Sequence, residues 1–154
     1  MRTTDVEFIT SCMTHMRIWP HVSDDFSPHR NDFEPVMDDK LYYLAPEDEA
    51  GDPVGVFFLH PHSTILFEIH TCVLPAYWGP VAVRSARAAM RWMVENTYCR
   101  KIITHVPYDN TLALRFAKRV GMIPEGTNRE SFQKDGVLLD QHVLGITEGE
   151  ISCL

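Results

Sequence analysis

The chain has 154 residues, 45% hydrophobic and 23% charged, with a formal net charge of −7. That size suits one domain around one core, spanning 1–154. The acidic balance argues against non-specific binding to nucleic acid or to an anionic membrane, since both need an excess of Lys and Arg.

Four cysteines, at 12, 72, 99 and 153, show no CxxC spacing, so reduced thiols in a cytoplasm are expected and no metal cluster is. No run of about 18 apolar residues offers a membrane span, and Asp5 and Glu7 interrupt any signal-peptide pattern. Residues 5–19 are predicted as a helix: Phe8, Cys12, Met16 and Trp19 recur near helical spacing, Thr4 or Asp5 caps it and Pro20 stops it. Residues 20–38, with Pro20, Pro28 and Pro35, read as a loop with one helical turn near 33–37. Asp24, Asp25, Asp32, Glu34, Asp38 and Asp39 make this region either a solvated face or a surface for a cationic substrate.

Residues 41–44, 54–60 and 64–73 read as three strands joined by short turns, which predicts an antiparallel meander. His60 and His62 flank Pro61 with no third ligand nearby in sequence, so no metal is expected there. Glu68 and His70 are two apart on the third strand and share one face, while Ile65, Phe67, Ile69 and Thr71 take the other. Facing a cleft, Glu68 and His70 could take a proton from an amine, directly or through water; facing solvent, they are the polar side of a half-exposed strand.

Trp78-Gly79-Pro80 then breaks the chain, and an amphipathic helix is predicted over 82–98, with Val83, Ala86, Met90, Met93, Val94 and Thr97 on its apolar face. Arg84, Arg87 and Arg91 form a solvated flank. A strand that turns sharply into a helix leaves the first helical amides unpaired, so this turn is a candidate anion site with Arg84 beside it. Residues 101–106 form a strand parallel to the third, because a helical crossover lies between them. Asp109 or Asn110 caps a helix over 111–120 with Leu112, Phe116 and Val120 on one face, and Gly121 ends it. A strand starting at 122, a turn at Asp135-Gly136 and a last strand over 138–146 complete the pattern, leaving a frayed tail from Thr147.

Several phrases in this order carry a resemblance: Leu74-Pro75-Ala76-Tyr77-Trp78-Gly79, then Asn110, Gly121-Met122, Glu125-Gly126, Asp135-Gly136 and Asp140. Together they resemble the GCN5-related N-acetyltransferase (GNAT) superfamily, nearest to the branch that acetylates ribosomal proteins and protein N-termini. The resemblance implies an α/β fold with a mixed sheet: an antiparallel meander, a βαβ crossover and a C-terminal hairpin, with an acyl-CoA-binding core over 64–146. It implies acetyl-CoA as cosubstrate without a metal, and transfer of the acetyl group to an amine, either a small molecule or a protein N-terminus. In such a protein Glu68 and His70 would serve catalysis. Backbone at Cys72, Val73 and Leu74 would polarise the thioester carbonyl. The turn from Trp78 and Gly79 through Val81, Ala82 and Val83, with Arg84, would take the pyrophosphate, and Asn110 and Phe116 would flank the pantetheine arm.

The departures are specific. Val81 and Val83 stand where members of the family usually carry small residues, Pro80 lacks an N–H, and Ala117 stands where some members carry a tyrosine acid. These leave open a non-catalytic GNAT-like assembly protein, such as those in bacteriophage virions, with weakened acyl-CoA binding. A homodimer is also left open. The location expected is a cytoplasm, that of the host or the virion if phage-encoded.

Overall fold

A computed structural model describes residues 1–154. Strands β1 (Tyr42–Leu44), β2 (Gly55–Pro61) and β3 (Leu66–Val73) form the expected antiparallel meander. Helix α3 (Pro80–Asn96) crosses over to β4 (Lys101–Pro107), which pairs in parallel with β3. After α4 (Thr111–Val120), strands β5 (Ile123–Lys134) and β6 (Val137–Thr147) form the terminal hairpin, and β6 inserts beside β4. The result is one six-stranded mixed sheet in the order β1-β2-β3-β4-β6-β5.

The two faces of the sheet are covered unequally. One face packs under α3 and α4 in a cluster of 21 buried residues that includes Phe57, Ile69, Met90, Ile102 and Ile146. The other carries a cluster of four, Ile9, Cys12, Tyr43 and Val56, beneath α1 (Val6–Met13). An eight-residue helix is about 12 Å long, whereas the eight residues of β3 extend about 26 Å. Helix α1 therefore cannot cover the strand it packs on, and the end of that face near Glu68 stays open.

Several expectations are corrected. The helix expected over 5–19 is broken: α1 starts from the Asp5 cap, whose carboxylate accepts from the Phe8 amide at 3.0 Å, and ends at Met13. Pro20 does not stop a helix but opens one, in the first turn of α2 (Trp19–Val22), where its missing N–H would have had no helical partner. The single turn in the following loop is a 3-10 turn at Arg30–Asp32, not at 33–37. Helix α3 buries Ala82, Ser85, Ala86, Ala89, Met90 and Met93 rather than a face centred on Val83 and Val94. Small residues let its backbone approach the sheet closely. Arg87 is half-buried and not a free flank; its guanidinium donates to the carbonyls of Val120 and Arg119 and ties α3 to the end of α4. The tail is not frayed. Helix α5 (Glu148–Ser152) is set by a reciprocal capping box between Thr147 and Glu150, and it buries Ile151 completely.

The outer strands have distinctive borders. Residues 1–3 run along β1: the Thr3 amide donates to the Tyr43 carbonyl at 2.8 Å, and the Ala45 amide donates to the Met1 carbonyl at 2.6 Å. Arg2 thereby forms an isolated antiparallel bridge with Leu44 at the border of the sheet. On the far side, β5 loses register with β6 twice, between Pro124 and Gly126 and between Asn128 and Phe132.

The acidic loop is partly structural. Both Asp25 oxygens accept from the turn of the β5–β6 hairpin, from the Asp135 amide at 2.7 Å and the Gly136 amide at 2.8 Å. These contacts, the Gly136 amide foremost, hold the Asp25 carboxyl below its usual range despite the opposing effect of desolvation. A folded-state pKa below the unfolded one means the anchor contributes fully above the ordinary aspartate range and is lost as pH falls through the folded value. Asp25→Ala should speed hydrogen exchange at the Asp135 and Gly136 amides at neutral pH while leaving β3 and β4 protected; unchanged exchange at those two amides would show that the anchor is dispensable.

Candidate active site

The meander and the crossover share very little of their length. Strands β3 and β4 pair only at Leu66↔Lys101, Phe67↔Ile102 and Glu68↔Ile103. Beyond that point β3 stays with β2 as far as Val73↔Gly55, and β4 stays with β6 as far as Pro107↔Gln141. The sheet thus splits into two arms, with residues 69–73 on one and 104–107 on the other. The Trp78 indole donates to the Val73 carbonyl at 2.8 Å, which fixes the tip of the first arm against the start of α3.

A cleft of about 350 Å³ opens at this split. Thr71 and Val73 line it from β3, with Trp78, Gly79 and Ala82 at the start of α3. Asn110, Leu112, Ala113, Arg115, Phe116 and Arg119 line it from α4, and Arg17, Ile18, His21 and Val22 from the α1–α2 segment. Its wall is mainly apolar, and Leu112 is left 59% exposed there although the helical pattern placed it on the core face. The residues of α4 that are buried are Ala117 and Val120. Three guanidinium groups, Arg17, Arg115 and Arg119, give the same cleft a cationic border. The Arg17 guanidinium lies 4.7 Å above the Trp78 ring, a cation–π contact.

The start of α3 is open to an anion. Gly79 occupies the N-cap with φ 107 and ψ −136, and no side chain caps the first turn. Pro80 takes the first helical positions, where a missing N–H is tolerated, so the amides of Val81 and Ala82 are the ones left for a ligand. The Val81 side chain turns away and lines a separate depression with Glu47, Asp48, Glu49 and Arg84. The branched residue that departs from the family's glycine pattern therefore does not obstruct the cleft.

At the fork, on the face that α1 leaves open, four histidines surround one carboxylate. Glu68 is 8% exposed; His62 Nε2 donates to its Oε2 at 2.7 Å, and His105 Nδ1 donates to its Oε1 at 2.9 Å. His60 Nε2 and His70 Nε2 each lie 3.7 Å from a Glu68 oxygen and 3.1 Å from one another. Strand register brings them together: His60 pairs with Glu68, and His70 pairs with Phe58. Burial pushes the Glu68 carboxyl up, but the neighbouring His70 and the hydrogen bonds from His105 and His62 outweigh it and hold the group below the usual range. His60 and His70 are both lowered, chiefly by desolvation and only partly offset by Glu68.

The sequence-derived candidates are scattered, and only some of them meet at the fork or the cleft. Glu68 and His70 lie in the histidine ring at the fork. Val73, Trp78, Gly79, Ala82, Asn110 and Phe116 line the cleft. Cys72 is buried and its thiol is pushed up to about 12 by that burial. Leu74 packs beside the α1 cluster, Val83 packs against the large core, and Val81 and Arg84 line the other depression. Sequence reading missed Arg17, His21, Thr71, Arg115 and Arg119 in the cleft, and His60, His62 and His105 around Glu68. The i, i+4 spacing of Arg115 and Arg119 on one face of α4 was the available signal for the first group. For the second, only the pairing of β2 and β4 on either side of β3 would have shown it.

The sequence model of the acetyltransferase (GNAT) family matches residues 9–122. The chain belongs to this family. No curated protein matches it. Among solved structures, the GNAT chain is similar to spermidine N-acetyltransferase from Vibrio cholerae in complex with CoA and spermine. The TM-score is 0.78 at 18% identity, over 99% of this chain and 95% of that one. A chimera of the Vibrio cholerae enzyme SpeG with hSSAT matches at TM-score 0.67 and 20% identity, over 76% of this chain and 75% of that one. These likenesses establish the mixed-sheet GNAT fold. No helix is long and apolar enough to cross a membrane.

Proposed function

We propose that this GNAT chain transfers an acetyl group from acetyl-CoA to an amine. The observation that carries this reading is the split of the sheet after Glu68↔Ile103, with an apolar, arginine-bordered cleft leading from it to the uncapped start of α3. The pantetheine arm would lie between the two sheet arms against Leu112 and Phe116. The pyrophosphate would meet the Val81 and Ala82 amides and the arginine border. The amine nitrogen attacks the thioester carbonyl, the C–S bond breaks, and CoA leaves as the thiolate, which takes a proton from solvent water. The nitrogen's proton goes to His70. Glu68 has both oxygens engaged by His62 and His105, so it serves as a positioning residue that holds the ring of imidazoles. His70 is the more open of the two, with 41% of its side chain exposed.

The acceptor fits a cationic amine. The net charge is −7, and Asp32, Glu34, Asp38 and Asp39 remain exposed on the loop after α2. The structural relative, a spermidine N-acetyltransferase in complex with CoA and spermine, supports a polyamine; the Leu74–Gly79 phrase supports a protein N-terminus. The protein-assembly alternative gains no support, because neither Pro80 nor Val81 fills the cleft.

Calorimetric titration of acetyl-CoA into the protein should give one site per chain with micromolar affinity, and CoA should compete. Thiol release should then follow addition of spermidine, spermine or an N-terminal peptide. No heat and no thermal shift at millimolar acetyl-CoA would overturn the transferase reading.

A further inference from the structure

The ring of imidazoles around Glu68 has a second capability that proton transfer does not require. We propose that His60, His70 and Glu68 form a binding site for a divalent first-row transition metal of the zinc class.

Three observations carry it. First, the donor atoms converge. One ligand atom from each of the three residues lies within 4.8 Å of the other two. The two Nε2 atoms are 3.1 Å apart, and each is 3.7 Å from a carboxylate oxygen. Zinc bonds of roughly 2.0–2.2 Å at tetrahedral angles place ligand atoms about 3.3 Å apart. The nitrogens already stand near that separation, and each faces a different Glu68 oxygen at 3.7 Å, so the two oxygens would close on the metal together. Second, the ligands are held from outside. His62 and His105 donate to the two oxygens of Glu68 at 2.7 and 2.9 Å, the kind of surrounding hydrogen bonds that orient a metal-binding carboxylate. His60 and His70 are held by Phe58, whose ring centre lies 5.7 Å from each of theirs. Third, the site is open on one side. His60 and His70 have 32% and 41% of their side chains exposed, which leaves a position for water or a small ligand.

The charge also suits a dication. Two neutral imidazoles and one carboxylate supply a single negative charge, and two imidazole nitrogens 3.1 Å apart need either a shared proton or a cation between them. The sequence concealed the site because His60 and His62 looked like a pair around a turn, whereas His60 and His70 belong together across the β2–β3 ladder.

Binding of the metal does not depend on the transferase reading. One consequence does: zinc on His70 would remove the proton acceptor, so zinc should inhibit acetyl transfer and a chelator should restore it.

The test is titration of the purified, chelator-treated chain with zinc chloride, followed calorimetrically, with cobalt(II) absorption and zinc-edge X-ray absorption on the wild type. The expected result is one zinc per chain, a cobalt spectrum of four- or five-coordinate type, and nitrogen and oxygen scattering with a two-imidazole signature. The His60→Gln/His70→Gln pair should weaken zinc at least about 100-fold, and His15→Gln, far from the ring in sequence and not among its members, should leave it unchanged. No zinc uptake at 100-fold excess over protein, sulfur scattering from a cysteine, or zinc retained by a folded double variant would each overturn the site. Acetyl-CoA binding is measured separately, so loss of one leaves the other standing.

Discussion

His70→Gln should lower kcat by about 10²- to 10⁴-fold, the range that a positioned general base supplies, while acetyl-CoA affinity changes little. Glutamine keeps a polar group of similar reach but cannot take a proton near neutral pH. The separation of effects follows from position: Thr71 and Val73 line the cleft from one face of β3, and His70 projects from the other face with Glu68. Steady-state kinetics with a saturating amine, together with calorimetry for acetyl-CoA, would measure both. Glu68→Gln should reduce turnover less severely, since it loosens the ring without removing the acceptor. A His70→Gln protein with wild-type turnover would take His70 out of the mechanism and return the proton to water.

The second large effect is expected at Gly79. Its φ of 107 with ψ of −136 is a backbone region that residues with a Cβ avoid, and the residue that follows is Pro80. A non-glycine residue before proline is driven toward negative φ in the β region. Gly79→Val should therefore destabilise the fold by about 1–3 kcal/mol through backbone strain. A Cβ at this position would meet nothing within 4 Å, so the penalty is conformational and not a clash. Relief of that strain would reorient the first turn of α3 and shift Trp78, and with it the Val81 and Ala82 amides. Acetyl-CoA affinity should fall even in the surviving folded fraction. Denaturant unfolding and calorimetry on the same preparation separate the two losses. A variant as stable as wild type with unchanged affinity would show that the turn does not hold the nucleotide end of the cofactor.

Most of the architecture was legible because the local signals agreed. The alternation of Phe67, Glu68, Ile69 and His70 fixed the faces of β3. Asn110 and Gly121 bracketed α4 at both ends, and Asn110 accepts from the Ala113 amide at 3.1 Å as an N-cap should. Helix ends that depend on tertiary contacts were less legible. Nothing in the spacing of Phe8, Cys12, Met16 and Trp19 showed that the chain turns after Met13, and Thr147 with Glu150 read as tail until Ile151 had a core to enter. Hydrophobic periodicity also misassigned Leu112, because a residue facing an empty cleft has the same sequence signature as one facing a core. The main gap in the site was positional. Glu68 and His70 were visible as neighbours on one strand, but His60, His62 and His105 reach them only through strand pairing. His105 comes from β4, 37 residues further along the chain.

The borders of the sheet have a consequence for how these molecules meet one another at high concentration. An open sheet margin is a row of free amides and carbonyls that can template a neighbour's strand, the first step toward fibrils. Here residues 1–3 already occupy the outer side of β1. At the opposite margin β5 is long and exposed, but Pro124 cannot donate, Glu130 sits at φ 48, and two slips of register interrupt its ladder. Neither border presents a straight, unpaired ladder, so edge-on polymerisation is disfavoured and self-association is directed to the broad surfaces of the molecule.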